Sequence, residues 1–300
     1  MEQEKVNLQK NGNALFQIDL EKVIAEKVKR PLPRWLVRYI IKVAHQDDIN
    51  DCIAHAQYPS GINFFHEALK YLDITFEVRG LENLPAKDHP CIFAGNHPLG
   101  GPEALIIGEM MRQQYGESFR VPVNNILGYF HPLKEFFVPV NTMSSRQSRD
   151  IGERMNAMFE SPYQVLVFPA GKCSRREHGR VTEQPWKKMF ITQARRYCRD
   201  VVPIHSSGRN SRFFYTLTSL SKAIGLKFNI GMFYLVDELF KQRHRKFVLT
   251  IGRPIPYTTF DRSRTDAEWA EAVRREVAIL EQGNGEKGNM GIPTLSLLPG

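Results

Sequence analysis

Apolar residues recur along this chain in two rhythms. In the stretch from residue 14 to about residue 45 they follow helical spacing: Trp35, Leu36, Tyr39, Ile40 and Val43 share one side, and Arg34, Arg38 and Lys42 take the other. Pro31 and Pro33 hinge this stretch into two helices. A further helix over 62–71 leads into alternating Ile74, Phe76 and Val78, a short strand stopped by Gly80. Beyond it, short apolar runs alternate with helical stretches. The runs at 91–94, 120–123, 136–140, 164–168, 201–205, 228–235 and 247–251 predict strands, and the stretches at 103–115, 146–159, 186–198, 211–224 and 266–281 predict helices. Such alternation implies an α/β fold: a central, mostly buried mixed β-sheet flanked by helices, preceded by an N-terminal helical segment.

Three regions follow. Residues 1–60 form the helical segment, 61–282 the α/β domain, and 283–300 a Gly-, Asn- and Pro-rich tail expected to be flexible. A cationic helix with Trp and Tyr at its apolar edge, as over 34–43, suits a membrane interface, and it suits ordinary packing on a core equally well. The tail carries Gly283, Gly285 and Gly288 in G-x-G-x-x-G spacing. That fingerprint binds a dinucleotide only between a strand and a helix, so after a helix it predicts no such site.

Composition narrows the class. Of 300 residues, 42% are hydrophobic and 24% charged, which is ordinary for a globular protein and excludes a disordered or collagen-like chain. No apolar stretch reaches the roughly 18–20 residues that span a bilayer, and no apolar leader follows the opening residues, so a cytoplasmic location is expected. Cys52, Cys91, Cys173 and Cys198 lie far apart without a C-x-x-C pair, which reads as reduced thiols and no metal site.

Charge adds a partner. The net charge is +9, and between Lys172 and Arg212 eleven basic residues face three acids, a local excess of +8. A field of that kind attracts nucleic acid, an anionic membrane or a phosphate-bearing cofactor, unless it is simply a solvated face. No nucleic-acid module and no interleaved aromatic pattern accompanies it, so nucleic acid is not expected.

Three segments carry candidate chemistry. Asn96-His97-Pro98-Leu99-Gly100-Gly101-Pro102-Glu103 follows a buried strand and so lies at the strand's carboxyl end, where open α/β sheets place their sites. Pro102 suits a first helical position and brings Glu103 into the first turn, within reach of the loop. A histidine backed by a carboxylate is a general base. A loop histidine beside an acid that answers the helix dipole is the other reading. The second segment, Phe168-Pro169-Ala170-Gly171-Lys172-Cys173-Ser174-Arg175, gathers the cation Lys172, the hydroxyl of Ser174 and the guanidinium of Arg175, a set suited to an oxyanion or to a solvated basic turn. Cys173 has no histidine placed against it by the sequence, so it is not expected to be a nucleophile. The third is Val202-Pro203-Ile204-His205 followed by Ser206-Ser207-Gly208-Arg209-Asn210-Ser211-Arg212, where Pro203 indicates an edge strand or strand end. Between the first two, residues 137–141 lead from a strand toward Arg146 and Arg149.

In this order the segments resemble the glycerolipid acyltransferase superfamily, which includes lysophosphatidic acid acyltransferase. Asn96-His97 matches its Asn-His-x-x-x-x-Asp block; Phe168, Pro169, Gly171 and Ser174 match Phe-Pro-Glu-Gly-x-x-Ser; Val202-Pro203 matches Val-Pro. Asn-His-Pro-Leu-Gly-Gly, Phe-Pro-Ala-Gly and Gly-Arg-Asn-Ser are similar to a bacterial branch often labelled haemolysins, which includes O-acyltransferases that complete ornithine or glycine lipids. The resemblance runs from about Gly80 to Pro256. The acid at Glu103 stands one residue later than the superfamily's Asp, Ala170 replaces its Glu, and no arginine block for an acceptor phosphate is found.

The resemblance implies acyl transfer from an acyl thioester, of acyl carrier protein or coenzyme A, to the hydroxyl of a lyso-aminolipid, with no further cofactor and no metal. His97 would be the base and Glu103 its partner. Asn96, Gly100, Gly101, Gly171, Lys172, Ser174, Arg175 and Arg209 would bind substrate, and loop N–H groups or Lys172 would stabilise the oxyanion. The expected place of action is the inner face of the cell membrane, on an anionic surface. Phosphatidic acid synthesis from a lysophosphatidic acid is the alternative acceptor chemistry, and a cationic, haemolysin-like membrane binder is the non-enzymatic one.

Overall fold

A computed structural model of the chain describes residues 16–27, 31–140, 149–177, 179–223 and 230–282. Among the described residues seven runs pair into one sheet: β1 (Thr75–Arg79), β2 (Ile92–Gly95), β3 (Phe119–Asn124), β4 (Phe137–Val140), β5 (Gln164–Val167), β8 (Val201–Ser206) and β9 (Lys246–Ile251). Their spatial order is β1-β9-β8-β2-β5-β3-β4. Strands β8, β2, β5, β3 and β4 run parallel, while β9 is antiparallel to β8 and parallel to β1. A separate hairpin joins β6 (Arg175–Glu177) and β7 (Arg180–Thr182). The sheet is mixed, as expected from the sequence, and β2, β5 and β8 are buried at every position.

The helices are α1 (Leu20–Lys27), α2 (Arg34–Val43), α3 (Gln46–His55), α4 (Phe64–Leu72), α5 (Pro102–Tyr115), α6 (Arg149–Glu160), α7 (Met189–Arg196), α8 (Arg212–Ala223), α9 (Ile230–Phe240) and α10 (Asp266–Gln282). Successive strand residues point to opposite faces, and each face has its own apolar layer. Phe93 joins Phe65 of α4 and Ile107 and Met111 of α5 on one side. Its neighbours Ile92 and Ala94 join Phe190 of α7 and Val273 of α10 on the other. This double cover is why the central strands read as continuous apolar runs.

Two expectations are corrected. The 228–235 run, expected as a strand, is helical from Ile230 onward as part of α9. An apolar run this short has no period that separates strand from helix; the polar continuation decides it, with Lys241 reaching back 2.6 Å to Asp237 and 2.9 Å to Glu238. Pro203 sits in β8, an interior strand between β9 and β2, not at an edge. The proline is tolerated because it stands opposite Gly252, just past the end of β9, where its carbonyl accepts the Gly252 N–H at 2.8 Å and the missing N–H falls outside the β9 ladder. The β6–β7 hairpin and the separate helix α3 were not foreseen. The opening residues 1–15, Arg146 and the 283–300 tail lie outside the described residues.

Helix α2 has no buried residue, and Trp35 is 70% exposed. It leans on α9 through a contact between the Tyr39 and Tyr234 hydroxyls. His45, just past its end, stacks on Phe240 at 4.5 Å and places Nε2 3.1 Å from Asp237 Oδ1. Among the described residues no helix is long and apolar enough to cross a membrane.

Candidate active site

Strand β2 ends at Gly95 in the middle of the sheet, and the chain leaves at the carboxyl edge, where such sheets open their sites. Asn96 fixes that exit. Its Nδ2 donates to the Ser206 carbonyl at 2.9 Å and its Oδ1 accepts the Ser206 N–H at 2.7 Å, lacing the loop to the end of β8. Gly100 takes φ +92°, and a Cβ there would lie 2.7 Å from Leu235 Cδ2, so both conformation and space require glycine. Pro102 opens α5, which sets Glu103 in the first turn as the sequence indicated.

The Glu103 carboxylate is fully buried and turns back beneath its own loop. Oε1 accepts the N–H groups of Leu99 at 2.9 Å and Gly100 at 2.8 Å, and Oε2 accepts that of Gly101 at 3.1 Å. His97 Nδ1 lies 3.0 Å from Oε1, a close but off-axis polar contact rather than an aligned hydrogen bond. The imidazole stacks on Phe168 with centroids 4.5 Å apart and keeps 17% of its side chain exposed. Burial works to raise the Glu103 carboxyl, but His97 and the Gly100 N–H outweigh it and hold the group below the usual carboxylate range. An ionised carboxylate under Nδ1 leaves Nε2 to take a proton and stabilises the imidazolium that forms. The Leu99, Gly100 and Gly101 N–H groups are spent on Glu103, so they do not form the open oxyanion cradle expected of the loop.

The turn after β5 is tight: the Gly171 N–H bonds the Phe168 carbonyl at 2.9 Å and Gly171 takes φ +63°. Lys172 is exposed. Cys173 is buried, and burial pushes its thiol up to about 11, so it is protonated at neutral pH, in keeping with the sequence expectation that it is no nucleophile. Ser174 is buried as well, with Oγ 3.3 Å from Glu183 Oε2. Arg175 spends Nη1 on the Cys173 sulfur at 2.6 Å and on the Cys173 and Ser174 carbonyls, each at 3.2 Å, with its guanidinium over Phe214. Lys187, which the sequence counted only as charge, donates its N–H to the Pro169 carbonyl and brings Nζ within 3.2 Å of the space beside Gly171, adding a second cation to the turn.

In the third segment Asn210 and Ser211 are structural: Asn210 Nδ2 bonds the Leu99 carbonyl at 3.0 Å, and Ser211 Oγ accepts the Phe214 N–H at 3.1 Å to cap α8. Arg209 is exposed at the rim of a cavity of about 140 Å³, lined also by Asn96, Pro98, Glu183, His205 and Arg274. Asn96, His97, Gly100, Gly101, Glu103 and Ser174 thus form one cluster. Gly171 and Lys172 sit in the exposed turn before Ser174, and Arg209 lines the same cavity as Asn96 and Ser174. Glu183, absent from the candidates, turns out to touch the backbone of His97 and the hydroxyl of Ser174. Among the described residues no group of three or more His, Cys, Asp or Glu could hold a metal.

A partly exposed imidazole on a buried carboxylate, at the carboxyl edge of an α/β sheet and with the nearby thiol protonated, is an arrangement able to carry general-base group transfer. The chain belongs to the acyltransferase family, whose model matches residues 21–285. It is 41% identical over 271 residues to a lyso-glycine lipid O-acyltransferase of Phocaeicola vulgatus, covering 89% of this chain and 96% of that protein. It is 41% identical over 265 residues to a lyso-glycine lipid O-acyltransferase of Bacteroides thetaiotaomicron, covering 87% of this chain and 97% of that protein. The crystal structure of a 1-acyl-sn-glycerophosphate acyltransferase from Thermotoga maritima, 15% identical, covers 96% of this chain and 100% of its own with a TM-score of 0.46.

Proposed function

We propose that this protein transfers a fatty acyl group from an acyl thioester to the free hydroxyl of a lyso-aminolipid, a lyso-glycine lipid above all. The observation that carries the reading is His97 Nδ1 seated 3.0 Å from the buried Glu103, in a chain 41% identical to two lyso-glycine lipid O-acyltransferases. His97 Nε2 takes the proton of the acceptor hydroxyl as its oxygen attacks the thioester carbonyl. Lys172, with Lys187 beside Gly171, faces the developing oxyanion. Collapse breaks the carbon–sulfur bond, and the leaving thiolate takes the proton back from His97. General-base assistance of this kind is worth about 10²–10⁴-fold.

The acceptor's carboxylate is matched by Arg209, an exposed guanidinium at the cavity next to Asn96. The donor is an acyl carrier protein or coenzyme A thioester, whose phosphates suit the basic 172–212 segment. Asn96, Gly100, Gly101, Gly171, Ser174 and Arg175 act by shaping the loops against which both substrates lie. The protein works as a peripheral enzyme on the inner face of the cell membrane. Supporting this, Trp35, Tyr39, Phe213 and Leu220 are large, exposed and carried by α2 and α8, and Tyr234 of α9 touches both Tyr39 and Phe213.

The test supplies purified protein with one acyl thioester and, separately, lyso-glycine lipid and lysophosphatidic acid. Transfer to the lyso-glycine lipid that disappears in His97→Ala is the expected result. Transfer only to lysophosphatidic acid overturns the acceptor, and a fully active His97→Ala enzyme overturns the base. Arg209→Ala should raise KM for the lyso-glycine lipid roughly tenfold or more, the worth of a charge-assisted hydrogen bond.

A further inference from the structure

Glu183 lies outside the three motif segments, as one of the three acids of the basic 172–212 stretch, between β7 and α7. Its carboxylate collects donors from three places in the chain. Oε1 accepts the His97 main-chain N–H at 3.1 Å and Trp186 Nε1 at 3.2 Å; Oε2 lies 3.3 Å from both the His97 nitrogen and Ser174 Oγ. The Ser174 N–H answers by donating to the His97 carbonyl at 3.0 Å. Both main-chain polar groups of His97 are therefore tied to the 174–183 segment, while its ring is held separately by Glu103 and Phe168. A partly buried carboxylate is a costly acceptor for a loop N–H that water or a neighbouring strand could satisfy. What the carboxylate adds is a fixed link between two loops that no strand pairing joins.

We propose that Glu183 is a positioning residue for acyl transfer: it clamps the His97 backbone to Ser174 and Trp186 so that the imidazole keeps its place above Glu103. This rests on His97 acting as the base. A shift of about 1 Å in a reacting group can cost on the order of 10²-fold in rate without touching substrate affinity. Losing the clamp therefore acts on kcat rather than on KM. The cavity of about 140 Å³ beside Glu183 lets water reach the freed donors, so the loop loosens without leaving them dry.

Glu183→Gln separates the hydrogen bonds from the charge. It keeps the oxygen that serves His97 at 3.1 Å and Trp186, gives up only the longer 3.3 Å contact to the His97 nitrogen, and turns its new amide to Ser174 Oγ, which can accept as well as donate. Steady-state kinetics of the full chain with an acyl thioester and lyso-glycine lipid should show Glu183→Ala lowered about 10²-fold in kcat with both KM values near wild type, and Glu183→Gln recovering most of the loss. Wild-type kcat in Glu183→Ala, a loss carried by KM, or a Glu183→Gln enzyme as slow as Glu183→Ala overturns the proposal. If Glu183→Ala does not fold, Glu183→Asp takes its place: one methylene short, it should be slower than Glu183→Gln, and equal rates overturn the clamp. His97→Ala runs in parallel. An inactive His97→Ala beside an unimpaired Glu183→Ala removes only the clamp, whereas an active His97→Ala removes the base assignment and the clamp with it.

Discussion

His97 Nδ1 sits 3.0 Å from Oε1 of Glu103, whose carboxylate also receives the N–H groups of Leu99, Gly100 and Gly101. One side chain thus holds the loop in shape and places a negative charge beside the imidazole. Glu103→Gln keeps the shape but turns one oxygen into a donor that must face either an imidazole N–H or loop N–H groups. We expect kcat to fall by about 10²–10⁴-fold. We also expect the fold to lose on the order of 1–3 kcal/mol, the cost of leaving buried donors unmet. Turnover with a fixed thioester and denaturant unfolding check the two effects on one preparation.

The same carboxylate gives the fold a specific acid limb. Folding holds Glu103 below its ordinary range, although burial alone would raise it. A carboxyl lowered by folding stabilises the protein above its unfolded value, about 4.3, and that stability drains as pH falls through the lower folded value. Glu183 has the opposite sign: burial, the largest influence, raises it, so its ionised form costs stability that acid relieves. Unfolding free energies measured down a pH series should therefore show the gap between wild type and Glu103→Gln narrowing below about pH 4. A gap that stays constant to the lowest pH would falsify the assignment of Glu103 as a buried anion.

Much of this is legible in the order of residues alone. The central strands announced themselves as apolar runs because both sheet faces are covered, and Pro102 fixed where α5 begins and so where Glu103 falls. The longer acid, one residue later than the superfamily's aspartate, still reaches His97 because its carboxylate bends back over the three loop N–H groups. Other features carried no local signal. The helix at 230–240 shares its composition with a strand and is set by Asp237, Glu238 and Lys241 beyond the apolar run. Glu183 stands 86 positions from the N–H it accepts, and nothing in its neighbours' identity marks it. Ser174 and Arg175 have the right chemistry for an anion, yet the hydroxyl faces Glu183 and the guanidinium contacts Cys173 and Phe214. Only packing distinguishes a polar group offered to substrate from one spent inside the fold.

Gly100 provides a steric test of the loop. Its φ of +92° and the 2.7 Å approach of Leu235 Cδ2 leave no room for a methyl group. Gly100→Ala should cost about 1–3 kcal/mol through backbone strain and displacement of Leu235. Because the Gly100 N–H also holds Glu103, activity should fall further than the loss of folded protein accounts for. Activity per folded molecule, from circular dichroism and turnover on one sample, reads the difference, and unchanged specific activity would disconnect Leu235 from the site.

Helix α2 supplies the last test. Its aromatic edge has stayed out of the core: Trp35 is 70% exposed and Tyr39 48%, and nearby on α8 Phe213 is 50% exposed and Leu220 56%. Part of this face is tied to the His97 loop through α9, since Tyr234 touches Tyr39 and Phe213 while the adjacent Leu235 crowds Gly100. Burying one such side chain in a bilayer interface is worth about 1.5–3 kcal/mol, and each basic residue near an anionic surface adds about 1 kcal/mol that salt removes. Trp35→Glu should therefore lower partitioning onto anionic vesicles by at least roughly tenfold, since about 1.4 kcal/mol is a factor of ten. Replacing Arg34, Arg38 and Lys42 by Gln should weaken binding mainly at low salt. Turnover of a short-chain, water-soluble acceptor should be unaffected by Trp35→Glu, because Trp35 belongs to no element of the His97 loop. Vesicle sedimentation indistinguishable between wild type and Trp35→Glu would show that the exposed aromatic face is not what holds the enzyme to its lipid substrate.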